Sequence, residues 1–271
     1  MKVARLLHVS LNTANLAGTE QFYTQALGFI AAAPASTPNI RLATLLGAET
    51  AHTLHLRRGK QTLELTQIDP PGAPYPPQSQ SNDLWFQHCA LVTDNMADAY
   101  DRLRQHEFAP ISRHGPQTLP GGIIAFKFRD PEGHPLELIQ FPHPNQATAG
   151  GIDHSAIAVA DAARSVAFYE TTLGLSVAAQ QRNTGPAQDA LDNLDGAQVD
   201  VVALAPKDAS PHLELLGYRT PPGRPAPRAN WNDIAATRLV FSTESVLHQA
   251  NDVRLLEDPD GHKIIVEGAA A

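Results

Sequence analysis

The chain has 271 residues, enough for two compact domains at about 150 residues each, and its 42% hydrophobic share supports buried cores. Against 28 Asp and Glu stand 20 Lys and Arg, a net charge of -8, which argues against a nucleic-acid or anionic-membrane partner because both recruit basic surfaces. A single cysteine, Cys89, excludes an internal disulfide and thiolate-rich metal sites, whereas 12 histidines leave imidazole–carboxylate chemistry open.

The first residues, MKVARLLHVSLNTANL, carry neither the long apolar stretch nor the cleavage site of a secretory leader. No apolar run approaches the ~18–20 residues of a membrane span, so a cytoplasmic chain is expected. From His8, HVSLN alternates with period two and predicts a strand. Leu16, Phe22, Tyr23, Ala26 and Leu27 then recur at helical spacing, closed by Gly28. HTLHL-RRGKQ-TLELT predicts a hairpin. After the proline-rich stretch 69–77, a second unit opens with FQHCALVTDNMADAYDRLRQH (86–106) and closes with KFRDPEGHPLELIQF (127–141). HPNQATAGG (143–151) precedes IDHSAIAVADAARSVAFYETTLGL (152–175), which repeats residues 6–29 in register. His154 falls on His8, Phe168 and Tyr169 on Phe22 and Tyr23, and Gly174 on Gly28. LELL (213–216) repeats LELT (63–66), pairing Glu214 with Glu64. A last unit, after RTPPGRPAPRAN (219–230), repeats the second from TRLVFSTESVLHQA (237–250) to RLLEDPDGHKIIVEG (254–268), but is shorter.

The chain is thus four related β-α-β-β-β modules, the fourth truncated, and an α+β fold is expected. One module has a half-covered sheet and must pair with another to bury it. The boundary between halves is placed near residue 147, giving domains 1–147 and 148–271. The helical aromatics read as core, and the Asp-Pro-Glu-Gly and Asp-Pro-Asp-Gly segments as turns. In the first three modules a His of the opening strand has a partner Glu in the closing strand: His8 with Glu64, His88 with Glu137, His154 with Glu214. If those strands lie together, two modules deliver two imidazoles and two carboxylates to one cavity. That set suits a divalent first-row ion (Zn, Ni, Co, Mn or Fe) and leaves positions open for substrate. His52, His55, His106, His114, His212 and His248 lack this register and are read as surface or core residues.

Paired modules, the H-x-A/S opening strand, the FY…LG helix end and the DPxGHxxE closing hairpin resemble the vicinal oxygen chelate superfamily. It contains glyoxalase I, methylmalonyl-CoA epimerase, extradiol dioxygenases, fosfomycin-resistance enzymes and bleomycin-binding proteins. The resemblance implies two curved mixed sheets and, in the first half, the metal ligands His8, Glu64, His88 and Glu137. In the second half His154 and Glu214 match, but Arg238 stands at a His position and Ile265 at a Glu position, with Glu267 two residues on. That half is expected to bind no metal. Sequential pairing of modules is the simpler topology. The alternative, first with fourth and second with third, would assemble His88, Glu137, His154 and Glu214 instead.

The two-His, two-Glu set looks more like glyoxalase I and related isomerases than like dioxygenases, which use two His and one Glu and place Tyr where this chain has Lys127. The implied chemistry is proton transfer beside a metal-bound carbonyl, with Glu137 or Glu64 as the base. Lys127, Arg129, Arg41, Arg57 and Trp85 are candidate substrate contacts, and no glutathione-binding signature is evident. A metal-free binding protein, like the bleomycin-binding relatives, is the alternative of a different class, and an Fe(II) dioxygenase a further one. The partner is a small molecule, and the chain is expected to be a monomer or homodimer.

Overall fold

The structure, a computed structural model, describes residues 3–32, 37–143, 148–208, 211–243 and 253–268. The expected boundary at 147 and the helical part of the fourth module, with His248, lie outside the described residues. The first module comprises β1 (Val3–Thr13), α1 (Leu16–Gln25), β2 (Ile30–Ala31), β3 (Thr37–Pro38), α2 (Ile40–Leu46), β4 (Thr50–Arg58) and β5 (Gln61–Asp69). The second runs through β6 (Phe86–Val92), α3 (Met96–Leu103), β7 (Ala109–Pro110), β8 (Gln117–Thr118), β9 (Ile124–Arg129) and β10 (Pro135–Gln140). The third has β11 (Ile152–Ala158), α4 (Ala162–Phe168), β12 (Ser176–Thr184), α5 (Pro186–Asp192), β13 (Gln198–Ala205) and β14 (His212–Thr220). The fourth contributes β15 (Arg238–Thr243), β16 (Val253–Glu257) and β17 (Lys263–Glu267). Among the described residues no helix is long and apolar enough to cross a membrane.

The fold is α+β, with two mixed sheets, but the modules do not pair in sequence order. One sheet runs β16-β17-β15-β1-β5-β4-β2, joining the first module to the fourth. The other runs β12-β13-β14-β11-β6-β10-β9-β7, joining the second to the third. The seams are antiparallel, Val9 opposite Leu239 and Ala156 opposite His88. Within each module the opening and closing strands lie side by side and parallel: β1 with β5, β6 with β10, β11 with β14, β15 with β17. Parallel neighbours place same-face residues of the two strands beside one another, which is why each His meets its Glu.

Sequential modules meet back to back instead. Tyr23 on α1 donates to Asp130 Oδ2 of the second module at 3.1 Å, and Tyr169 donates to Asp258 Oδ2 of the fourth at 3.2 Å. These repeated contacts lie in a single apolar core spanning both sheets, with Phe22, Leu63, Phe126, Phe128, Leu213 and Phe241 among its members. Each aspartate also closes its own turn: Asp130 Oδ1 accepts from the amides of Glu132 and His134, and Asp258 Oδ1 from those of Asp260 and His262. Gly133 (φ 99) and Gly261 (φ 94) supply the left-handed turn residue that other residues disfavour. The connections explain the pairing. The link from Gln140 to Ile152 is the shortest between modules and stays within one sheet, while the proline-rich links 70–85 and 221–237 carry the chain across to the other.

Two short helices, α2 and α5, were not evident from periodicity. Asn39 caps α2, accepting from Leu42 N, and Gly47 (φ 65) ends it; Pro186 opens α5 at the first turn and Asn193 (φ 54) ends it. Each is barely two turns long, too short for an apolar stripe to declare itself. Each nonetheless covers the concave face of its sheet, where the sites lie.

Candidate metal centre

In the sheet of the second and third modules, His88 (β6), Glu137 (β10), His154 (β11) and Glu214 (β14) converge. His88 Nε2 lies 3.0 Å from His154 Nε2 and 3.5 Å from Glu137 Oε2. His154 Nε2 is 3.9 Å from Glu137 Oε2 and 3.5 Å from Glu214 Oε2. Atoms about 2.0–2.2 Å from one ion stand roughly 3–3.5 Å apart, so His88, His154 and Glu137, whose ligating atoms all lie within 4.8 Å of one another, fit a shared cation, with Glu214 beside His154. The outer nitrogens are already committed. His88 Nδ1 donates to Gln87 Oε1, and His154 Nδ1 to Asp153 Oδ2 at 3.0 Å. Each ring therefore directs the lone pair of its Nε2 inward, and two lone pairs 3.0 Å apart require a proton or a cation between them.

The electrostatics agree. Burial and the positive Lys127 and His154 hold His88 well below the usual imidazole range. Burial opposes charge on His154 as well, but Glu214, the Asp153 hydrogen bond and Glu137 outweigh it and raise it to about 9. Burial raises Glu137, while His154 and His212 lower Glu214 against the same burial cost. Without an ion, a proton on His154 takes its place. Because binding must displace that proton, affinity for a divalent ion is expected to rise about tenfold per pH unit across neutrality and to level off near the raised pKa. Isothermal titration at several pH values checks this; a flat profile would mean His154 is not a ligand. Sign follows: the raised pKa contributes stability to the ion-free protein that is complete below about 6.5 and lost as pH rises through about 9.

Orientation comes from a buried chain behind His88. Gln87 Nε2 donates to Tyr218 Oη at 2.9 Å, and Tyr218 donates to Asp192 Oδ2 at 3.0 Å. Asp192 also accepts from Gln188 Nε2 and Lys127 Nζ, both at 2.7 Å. Replacing Gln87 by Leu is expected to weaken metal binding about 10–100-fold by freeing the ring, measured by competition with a chromogenic chelator. The ligands lie in a cavity of about 290 Å³ walled by Leu119, Ile123, Ile139 and Phe141 on the apolar side.

The structure does not bring the four expected first-half ligands together. His8 and Glu64 lie in the other sheet, separated from His88 and Glu137 because each pair shares a sheet with a different module. His154, which the sequence assigned to the degenerate half, joins His88 and Glu137 instead, with Glu214 beside His154. Two histidines outside the register also join the clusters: His212 Nε2 is 3.5 Å from Glu214 Oε1, and His55 Nε2 is 3.2 Å from Glu64 Oε2. The signals were present. His212 shares a face with Glu214 by period-two alternation, and the hairpin register sets His55 directly opposite Glu64.

In the sheet of the first and fourth modules, Arg238 is fully buried at the position a histidine would occupy. Its guanidinium donates to Ser10 Oγ at 2.7 Å, to Asn12 Oδ1 and to Trp231 O. Ser10 Oγ in turn donates to Glu64 Oε1 at 2.6 Å. Burial would raise Glu64, but hydrogen bonds from His55 and Ser10 and the charges of His8 and Arg238 bring it to about 2. Burial holds His8 down to about 4, and Arg238 down to about 10, still charged at neutral pH. Leu42, Val240 and Ile265 fill most of this concave face and leave a pocket of about 40 Å³.

Of the expected substrate contacts, Lys127 lines the larger cavity, paired with Asp192, while Phe126 and Phe128 on the opposite face enter the core. Arg129 instead donates to Gly133 O and Ser79 O and covers the Tyr75 ring. Arg41 borders the small pocket, Arg57 is exposed, and Trp85 lies beside Tyr75, away from the His88 cavity.

Residues 5–138 and 151–266 match the Glyoxalase/Bleomycin resistance protein/Dioxygenase superfamily, and the chain belongs to it. The chain is 30% identical over 141 residues to a lactoylglutathione lyase of Salmonella typhimurium, covering 50% of this chain and 92% of that one. It is 26% identical over 174 residues to a lactoylglutathione lyase of Arabidopsis thaliana, covering 63% and 55%. In fold it is similar to glyoxalase I from Zea mays, with TM-score 0.65 at 18% identity over 97% of this chain and 92% of that one. A putative dioxygenase from Bacillus subtilis also matches, with TM-score 0.60 at 13% identity over 98% and 86%.

Proposed function

We propose that the chain is a divalent-metal-dependent enzyme of glyoxalase type, moving a proton between two carbons at a carbonyl of a small organic substrate. The observation that carries this reading is the pair of inward-facing Nε2 lone pairs of His88 and His154, 3.0 Å apart and flanked by Glu137 and Glu214 on the wall of the cavity of about 290 Å³. The ion that His88, His154 and Glu137 would hold, with Glu214 beside it, would supply Lewis-acid stabilisation of negative charge on the substrate's oxygens. The protein's own part is the proton. Glu137 takes it from the carbon beside the carbonyl as the electron pair of the broken C–H bond moves toward oxygen. The same carboxyl then returns it to the neighbouring carbon while the substrate's hydroxyl proton passes to the former carbonyl oxygen, so no oxidant or reductant is consumed. Burial raises Glu137 toward the working pH, which suits a general base. Leu119, Ile123, Ile139 and Phe141 keep water from the developing charge.

The cavity chemistry also narrows the substrate. Among its described lining residues Lys127 is the one Lys or Arg, and Asp192 neutralises it. A dicarboxylate thiol conjugate therefore finds no unpaired Lys or Arg there, which favours a small neutral carbonyl compound over the conjugate for which the lactoylglutathione lyases are named. Glu214, 3.5 Å from His154 Nε2, adds a second carboxylate that a two-His, one-Glu oxygen-activating centre does not carry, which weighs against dioxygenation. The convergence of His88, His154 and Glu137 also weighs against a metal-free binding role. Metal-loaded protein incubated in heavy water with a panel of small hydroxycarbonyl compounds is expected to place deuterium on the carbon beside the carbonyl, and His88→Ala to abolish it. Binding of those compounds without exchange or isomerisation would overturn the proposal in favour of a binding protein.

A further inference from the structure

We propose that the sheet of the first and fourth modules carries a cation site of its own, formed by His8 Nε2, His55 Nε2 and Glu64 Oε2 and suited to a divalent ion of the zinc type. The three ligating atoms lie within 4.8 Å of one another. Glu64 Oε2 is 3.2 Å from His55 Nε2 and 3.9 Å from His8 Nε2, close to the roughly 3.3 Å between neighbouring ligands of a tetrahedral ion. The imidazoles meet edge to face, with ring centroids 5.3 Å apart and planes at 68°.

The carboxylate is divided between two duties. Its Oε1 accepts from Ser10 Oγ at 2.6 Å and Thr66 Oγ1 at 3.1 Å, which fixes the group. Arg238 lies on that side, its guanidinium held by Ser10, Asn12 and Trp231. Oε2 is left to the two imidazoles. His8 and Glu64 line a pocket of about 40 Å³ together with Arg41 and Glu267, too small for an organic substrate, while His55, outside that lining, reaches Glu64 Oε2 from an exposed position. Burial and then the Glu64 charge hold Glu267 above the usual carboxylate range, and a divalent ion would offset that charge.

This is a different construction from the His88 centre, and it does not depend on the reaction proposed there. All three ligands belong to one module, and His55 occupies a position that is Ala203 opposite Glu214 in the third module. Such an ion would tie the β4–β5 hairpin to β1. An ion whose fourth position faces a pocket of about 40 Å³ has no room for an organic substrate, so it stabilises and does not turn over substrate.

The test is zinc stoichiometry after equilibrium dialysis of the full chain, read by mass spectrometry. Wild type, His55→Ala and the double variant His88→Ala/His154→Ala are compared, each checked for folding by circular dichroism. The expected result is two ions per chain in wild type, one in His55→Ala and one in the double variant. His55 is exposed, so its removal leaves the fold intact. Cobalt substitution of the double variant gives a second readout, a tetrahedral visible spectrum lost on adding His55→Ala. One ion in wild type that His55→Ala removes would support this site and count against the His88 centre. A double variant without zinc, or a His55→Ala variant with the wild-type content, would overturn the inference.

Discussion

Glu137→Gln is expected to lower kcat by about 10²–10⁴-fold, the range over which a positioned general base contributes, while KM changes by a much smaller factor. The amide keeps the shape and an oxygen toward the His88 centre but cannot accept the substrate proton. Loss of turnover must be separated from loss of the ion, so metal content is measured on the same preparation. Retained metal with collapsed kcat identifies Glu137 as the base. Retained metal with unchanged kcat would move that role to Glu214. Glu64→Gln is the control: Glu64 lies in the other sheet, so turnover is expected to hold.

Arg238→Ala is expected to destabilise the protein by about 3–5 kcal/mol, the usual cost of leaving a buried charge without its compensation. At about 2–4 °C per kcal/mol, the melting temperature falls by roughly 6–20 °C. Arg238 is 0% exposed, and its charge is one of the causes that hold Glu64 near 2. A depressed carboxylate pKa contributes stability that is present above its unfolded value, about 4.3, and lost as pH falls through about 2. The destabilisation should thus be full at neutral pH and shrink in acid. Combining Arg238→Met with Glu64→Gln removes both charges and is expected to recover most of the loss. Denaturant titration of the two variants at pH 7 and pH 3 reads both effects; an equal loss at both pH values would mean that packing, rather than charge, accounts for it.

Much of this was legible in the residues. The repeat of His8 by His154 and of Glu64 by Glu214, with His88 and Glu137 between, marked every ligand of the candidate centre. Helix ends at Gly28 and Gly174 and the turns at Asp130 and Asp258 were readable for the same reason: they rest on local backbone geometry. Short α2 and α5 were not, because two turns present too few residues to show a period.

What sequence alone determined was the module, its His–Glu pair and the departure of Arg238 and Ile265 from the ligand pattern, since parallel neighbours within a module follow from its own alternation. What only the tertiary structure decided was which modules share a sheet, and hence whether Glu64 or Glu214 completes the set around His88 and Glu137. The modules are homologous and offer nearly the same edge strand, so local pattern is indifferent between partners. The choice is made by long-range terms: the lengths of the connections, the back-to-back contacts of Tyr23 with Asp130 and Tyr169 with Asp258, and the common core both sheets bury.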